Sequence, residues 1–332
     1  MYDIALIGGA GYVGGAIISH FSSLGAKLLV IDNFIYNHRV TYSGFLNSPN
    51  VDFIDLNFAK HPNSVVSQLK NCKSTVILGG LVGDPITKKF PKLSEAINKV
   101  GIENLLRKID TQLNDKRIVF ISTCSNYGLM SEGILADENS ELKPLSLYAE
   151  AKVNAEELIL NKLSNHRNNT YTILRFATAF GISPRMRFDL TVNQFTRSLA
   201  LKQKLIVFDA DTWRPYCHVN DFARLIERVH NAPKSLISCE VFNAGSDTNN
   251  HTKRSLINEI QKVVSGGQVV YQENGNDPRN YRVNFTKVRL ALEFTPAFSL
   301  SDGIIEIQEA IKNGFFLNGV KENNLYGNYD VE

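Results

Sequence analysis

Apolar residues in this 332-residue chain come in two rhythms. Short unbroken runs at 3–7, 27–31, 51–55, 74–78, 117–122 and 172–176 read as strands buried on both faces of a parallel sheet. Helically spaced stretches lie between them, at 13–21, 63–69, 92–109 and 148–163. In the third of these, Leu93, Ile97, Val100, Leu105 and Ile109 mark the apolar stripe. Strands and helices alternating this way predict an α/β fold, a Rossmann-type doubly wound parallel sheet.

Beyond Gly181 the rhythm changes. Residues 185–199 mix helical spacing with basic residues, and 205–208 and 216–219 read as strands around a turn at 209–212. A helix at 221–229 follows, then strands at 241–244 and 268–272, and helices at 255–264 and 302–311. The end, 319–332, is polar and is expected to fray. This divides the chain into a Rossmann domain over 1–176, its sheet completed by about 216–245, and a smaller C-terminal α/β substrate-binding lobe over 177–215 and 246–318.

The first unit carries the first chemistry. Gly8, Gly11 and Gly14 recur at three-residue spacing between a strand and a helix, and the next strand ends at Asp32. Glycines let backbone N–H groups approach a pyrophosphate, which a helix N-terminus also attracts. An acid about 20 residues on accepts from a ribose 2′-hydroxyl and repels a 2′-phosphate, so NAD is favoured over NADP. Cofactor contacts are expected from Gly8, Gly11, Tyr12, Val13 and Gly14, and from Asp32 and Asn33. A second glycine cluster, Gly79-Gly80-Leu81, follows the fourth strand, where doubly wound sheets bind ligands.

Composition narrows the class. Hydrophobic content of 43% and mean hydropathy of −0.14 are those of an ordinary globular protein. A net charge of +3 without a basic block argues against a nucleic-acid partner. No apolar run reaches membrane-spanning length and no signal peptide is indicated, so a cytoplasmic, membrane-free protein is expected. The four cysteines, Cys72, Cys124, Cys217 and Cys239, share no metal-ligand spacing, so no metal is expected and the thiols read as reduced.

Three further residues suggest a reaction. Thr123 closes a strand, and Tyr148 and Lys152 stand one helical turn apart, on one face. A free phenol has a pKa of about 10, and lowering it by about 3 units takes roughly 4 kcal/mol of differential stabilisation. A nearby ammonium and an oxidised nicotinamide both favour the phenolate. A Tyr-x-x-x-Lys spacing alone is as often an ordinary helix face. Its place after a nucleotide-binding half-sheet and a strand-end Thr gives it weight.

In combination these motifs resemble the extended short-chain dehydrogenase/reductases, specifically the nucleotide-sugar epimerase/dehydratase family. GGAGYVGG is similar to its cofactor loop, FISTCSNYG to its active-site strand and YAEAK to its Tyr-Lys helix. Arg175 ends the following strand, WRPYCHVNDFARLI resembles a later family segment, and DPRNYRV followed by Lys287 resembles its late sugar-nucleotide motif. The resemblance implies a catalytic triad of Thr123, Tyr148 and Lys152. It implies Asp55 and Leu56 against the adenine, Gly79, Gly80 and Leu81 along the cofactor, Asn98 near the nicotinamide half, and Ser122 beside it. Arg214 and Arg279 would neutralise a substrate diphosphate. Asp84, Cys124, Ser125 and Thr178 would line the sugar site. A homodimer or higher homo-oligomer through the helices at 92–109 and 148–163 is also implied.

Two departures refine this. In the family's 4,6-dehydratases the Thr is followed by Asp and Glu, which move protons at the sugar; here Cys124 and Ser125 follow, which disfavours dehydration. The 4-epimerases commonly carry Asn where Thr178 stands, and Arg where Asn274 stands. Substrate binding is therefore expected to be rearranged, with Arg185, Arg187 and Asn193 as candidates. LVGDP, FPKLSEAIN and FGISPRMRFDLTVNQFT resemble a subgroup that includes an enzyme oxidising C4 of a GDP-heptose for bacterial capsule synthesis. The expectation is an NAD-dependent 4-dehydrogenase or 4-epimerase of a nucleotide-diphosphate sugar, with a GDP-sugar favoured. A 4,6-dehydratase, an NADP-dependent 4-ketoreductase and a non-catalytic NAD-binding regulator are the alternatives.

Overall fold

The computed structural model describes residues 1–131, 133–166, 168–275, 277–317 and 326–331. Seven strands form one fully parallel sheet, in the order Glu240–Ala244, Thr170–Phe176, Arg117–Thr123, Cys72–Ile77, Tyr2–Ile7, Leu28–Asp32, Val51–Asp55. The chain builds outward from Tyr2–Ile7 in one direction, then crosses back to place Cys72–Ile77 on its other side. That reversal opens a crevice at the carboxyl ends of the strands.

Successive residues of each strand point to opposite faces, and both faces are covered. Ile4, Leu6, Val30, Val76, Val119, Leu174 and Phe242 pack with Phe21 and Phe222, from helices Tyr12–Ser23 and Val219–Asn231. Ala5, Ile7, Leu29, Ile31, Ile77, Ile118 and Ile173 pack on the other side with Leu105, Ile109 and Ile159, from helices Ile102–Gln112 and Leu147–Asn161. Burial on both faces explains why the strands read as unbroken apolar runs.

Several elements differ from the sequence expectation. The helix expected at 92–109 has three parts, Pro91–Ser94, a π-helical stretch Glu95–Gly101, and Ile102–Gln112. Only Thr191–Ala200 of 185–199 is helical, because the residues before it are drawn to the glycine turn; Ser183 Oγ donates to the Tyr12 carbonyl at 2.6 Å.

The strands Lys204–Phe208 and Trp213–His218 do not pair with each other. The first runs parallel to Gln268–Gln272, and the second lies between Thr178–Phe180 and Asn250–Thr252. Of 216–245, Glu240–Ala244 is the strand that joins the main sheet. The second lobe has its own core, including Phe180, Val192, Leu199, Leu205, Tyr216, Leu256, Ile260 and Ile304.

The frayed end expected at 319–332 is corrected in part. Residues 318–325 and 332 lie outside the described residues, but 326–331 pack against the body, with Phe188 N–H donating to the Tyr326 carbonyl at 2.8 Å. No helix among the described residues is long and apolar enough to cross a membrane.

Candidate active site

Each glycine of the first turn has its own steric role. Gly8 has φ +71°, and a Cβ there would stand 2.3 Å from Gly79 Cα, so the two loops flanking the crevice touch backbone to backbone. A Cβ on Gly14 would meet the Gly9 carbonyl oxygen at 2.0 Å, so helix and turn pack closely. Gly11 is different: a Cβ would meet nothing nearer than 3.7 Å. It caps helix Tyr12–Ser23 without a side-chain hydrogen bond and faces an open cavity. Unpaired N–H groups at such a helix end attract a phosphate.

That cavity gathers most of the expected site. Gly8, Gly11, Tyr12, Val13, Gly14, Asp32, Asn33, Leu56, Gly79, Gly80 and Leu81 line one part. Ser122, Thr123, Ser125, Tyr148, Lys152 and Thr178 line the middle. Asp84, Arg185, Arg187, Arg214 and Arg279 also line it.

Asp32 accepts from the N–H groups of Ala10 at 2.9 Å and Phe34 at 2.8 Å. Burial pushes its pKa up, and those backbone donors oppose the shift. His38 lines the same cavity, is 2% exposed and faces the Ala10 backbone, with neither ring nitrogen in a well-formed hydrogen bond among the described residues. A buried imidazole without a well-formed hydrogen bond, lining one cavity with a carboxylate and an open helix end, fits the polar half of a dinucleotide. Burial, with Arg185 adding to it, lowers the His38 pKa to about 3, so the ring is neutral.

Tyr148 and Lys152 sit on helix Leu147–Asn161, which Ser146 caps by accepting from Ala149 N–H. Lys152 Nζ donates to the Ile121 carbonyl at 2.7 Å and lies 5.8 Å from the Tyr148 ring centre. Burial lowers the lysine's pKa to about 8, with the Glu156 carboxylate opposing. Burial raises the Tyr148 pKa, and the cations that oppose this are Arg187 and Arg279. The cations that act on the phenol are thus two guanidiniums that sequence did not connect to it, in place of the Lys152 ammonium expected there. Thr123 Oγ1 accepts from Ser125 N–H at 3.1 Å, which leaves its hydroxyl proton to donate.

Behind these residues lies a buried polar network. Glu156 is 1% exposed and accepts from Ser122 Oγ, from Asn126 Nδ2 at 2.9 Å, and from Arg175 Nη2 at 2.6 Å. Arg175 also donates to Tyr127 Oη at 3.0 Å, and that hydroxyl donates to Asn243 Oδ1 at 2.7 Å. Three strands, the helix Leu147–Asn161 and the 3-10 turn Cys124–Tyr127 are thus tied together under the Thr123 strand end, where apolar packing alone fixes no orientation.

At the other end, one carboxylate organises two guanidiniums. Asp277 accepts from Arg279 Nε at 2.7 Å and from Arg214 Nη2 at 2.9 Å. Arg279 also pairs with Asp84 at 2.7 Å, and its Nη1 donates to Ser125 Oγ at 3.3 Å. Lys253 lines the same region. Arg187 forks onto Asp189, with bonds of 3.0 and 2.5 Å.

Four expected residues lie outside the cavity lining, and each has a physical reason. Asp55 is exposed and pairs with Arg39; strand alternation turns it away while Leu56 faces in. Cys124 is buried and its Sγ donates to the Arg175 carbonyl at 3.2 Å. Asn193 donates to Tyr12 Oη at 3.1 Å and to the Arg187 carbonyl at 2.9 Å, so it braces the loop. Asn98, on the π-helical stretch, accepts from Leu81 N–H at 2.7 Å and donates to Leu81 O at 2.9 Å, holding the second glycine loop. Asn98 thus braces the second glycine loop from behind.

Sequence reasoning missed Tyr36, His38, Asp189, Lys253, Asp277, Tyr281 and Asn328, all of which line the cavity. Asp277 and Tyr281 stand inside the late DPRNYRV motif, which offered a signal. The others are brought in by tertiary folding.

A model of the NAD dependent epimerase/dehydratase family matches residues 4–245. The chain belongs to that family, and NAD is its cofactor. A putative UDP-glucose 4-epimerase from Methanocaldococcus jannaschii is 22% identical over 319 residues, covering 93% of this chain and 98% of that protein. A UDP-glucuronic acid 4-epimerase from Bacillus cereus, solved with UDP-glucuronic acid and NAD, has a TM-score of 0.80 at 22% identity, covering 94% of this chain and 99% of the other. A dTDP-glucose 4,6-dehydratase from Bacillus anthracis, solved with NAD, has a TM-score of 0.80 at 19% identity, covering 95% and 97%. These structures share the fold of this chain, and the α/β Rossmann expectation is borne out.

Proposed function

We propose that this protein oxidises C4 of a sugar carried on a nucleoside diphosphate, acting in the cytoplasm as a 4-epimerase or a net 4-dehydrogenase. The observation that carries this reading is the single cavity holding the glycine turn, Thr123, Tyr148 and Lys152, and the Arg214–Arg279–Lys253 cluster. NAD, when bound, supplies a hydride acceptor. Tyr148 takes the C4 hydroxyl proton, with Arg187 and Arg279 opposing the effect of burial on the phenol. Lys152 holds the nicotinamide ribose, and Thr123 orients the substrate oxygen. Arg214 and Arg279, preset by Asp277, receive the diphosphate.

Dehydration is the weaker reading. Cys124 lies outside the cavity and Ser125 carries no acid, so the two positions that follow Thr123 offer no carboxyl for a second proton transfer. The 4-epimerase names among the relatives support action at C4. The sequence likeness to a capsule-sugar subgroup supports a GDP-sugar substrate and a role in surface polysaccharide. A homodimer through the two long helices belongs to the same reading.

The test is incubation with a panel of GDP-, UDP-, dTDP- and CDP-sugars, reading NADH absorbance and product stereochemistry together. A C4 epimer or a 4-keto product supports the proposal. A 4-keto-6-deoxy product, or no change at C4 with any sugar, overturns it.

A further inference from the structure

Residues 326–331 lie along the body as a strap that brings Asn328 to the cavity wall. Asn328 is 6% exposed and lines the cavity beside the second glycine loop. Its Nδ2 donates to the Val82 carbonyl at 2.9 Å, and its Oδ1 accepts from Arg185 Nη2, also at 2.9 Å. The Gly327 carbonyl accepts from the same Nη2 at 3.1 Å. Lys89 then anchors the strap's end, donating to the Tyr329 carbonyl at 3.2 Å and pairing with Asp330 at 3.0 Å. Three segments far apart in sequence thus meet at one asparagine.

Arg185 belongs to the cofactor's side of the cavity. Its guanidinium lies 4.6 Å from the Tyr36 ring centre, and its charge acts on Asp32 and His38. The preceding Ser183 and Pro184 abut the first turn of helix Tyr12–Ser23; a Cβ on Gly15 would meet them at 2.8 and 3.0 Å. Tyr42 Oη, from the same aromatic group, donates to the Gly11 carbonyl at 2.9 Å. A fully buried cation beside the open helix end at Gly11 is complementary to a phosphate there. The His38 nitrogens, without a well-formed hydrogen bond, mark the same region as one suited to a polar ligand.

We propose that Arg185 binds the phosphates of NAD, rather than those of the sugar nucleotide, and that Asn328 is a positioning residue that holds Arg185 there, so the C-terminal strap retains the cofactor. The inference rests on NAD occupying this cavity, not on the identity of the sugar. It assigns Arg185 away from the substrate role that sequence reasoning gave it. A strap that closes on both the glycine loop and the phosphate-binding arginine slows cofactor release between turnovers.

The test is calorimetric titration of the full chain and of Asn328→Ala, Arg185→Gln and the double variant with NAD, ADP-ribose and a nucleotide sugar. Thermal melting without ligand checks folding. Both single variants are expected to bind NAD and ADP-ribose about tenfold more weakly, with NAD dissociating correspondingly faster and sugar-nucleotide affinity unchanged. The double variant is expected to lose no more than Arg185→Gln alone, because Asn328 acts through Arg185. Asn328→Ala carries the test if Arg185→Gln does not fold. Unchanged NAD affinity overturns the proposal, as do additive losses or a fall in nucleotide-sugar affinity alone.

Discussion

Lys152 stands four residues after Tyr148 on one helix face, with its ammonium 5.8 Å from the tyrosine ring and bonded to the Ile121 carbonyl. The pair is therefore fixed to the sheet rather than free in the cleft. Removing the phenolic oxygen by Tyr148→Phe leaves this scaffold intact. The variant is expected to lose turnover by at least about 100-fold while binding NAD with unchanged affinity. Steady-state kinetics with calorimetric NAD titration checks both halves.

Asp32 holds the glycine turn, since its oxygens accept from Ala10 and Phe34 N–H groups. Asp32→Ala is expected to weaken NAD about tenfold, roughly 1.4 kcal/mol, and to narrow the preference for NAD over NADP. Parallel titrations with the two cofactors measure the change in ratio.

His38 makes stability depend on pH. Its folded pKa of about 3 is below the ordinary value of 6.5. The unfolded chain therefore binds the extra proton first, and the stability present above pH 6.5 is lost as pH falls toward 3. The loss is at most about 1.4 kcal/mol per pH unit in that window. Urea unfolding at pH 7.5 and 4.5 is expected to show a smaller drop in His38→Gln than in the parent.

Arg175 and Glu156 form a buried ion pair, 4% and 2% exposed at their side chains. Arg175→Met leaves an uncompensated buried carboxylate and is expected to cost about 3–5 kcal/mol. Adding Glu156→Gln neutralises that group and is expected to recover part of the loss. Urea midpoints of the single and double variants test this.

The parallel sheet was legible because burial on both faces writes uninterrupted apolar runs, and the Tyr148–Lys152 pair because helical spacing puts i and i+4 together. What sequence misread turned on side-chain direction. Asp55 and Leu56 are adjacent, yet a strand's period of two sends one to solvent and the other to the cavity. Asn193 lies in the expected region but braces Tyr12 instead of facing a ligand. Asn328 was hidden in a polar tail whose composition resembles a frayed end, because its partners, Val82 and Arg185, are distant in sequence. The π-helical turn that carries Asn98 has no hydrophobic signature distinct from the α-helix around it.

The most direct measurement follows a deuterium label at C4 of the nucleotide sugar that the panel selects. With NAD present, the label is expected on NADH when the ketone is released, or back at C4 of the epimer when it is not. Tyr148→Phe is expected to abolish both. Product whose label stays with the substrate in the original configuration, or label-independent turnover by Tyr148→Phe, would contradict oxidation at C4 by this site.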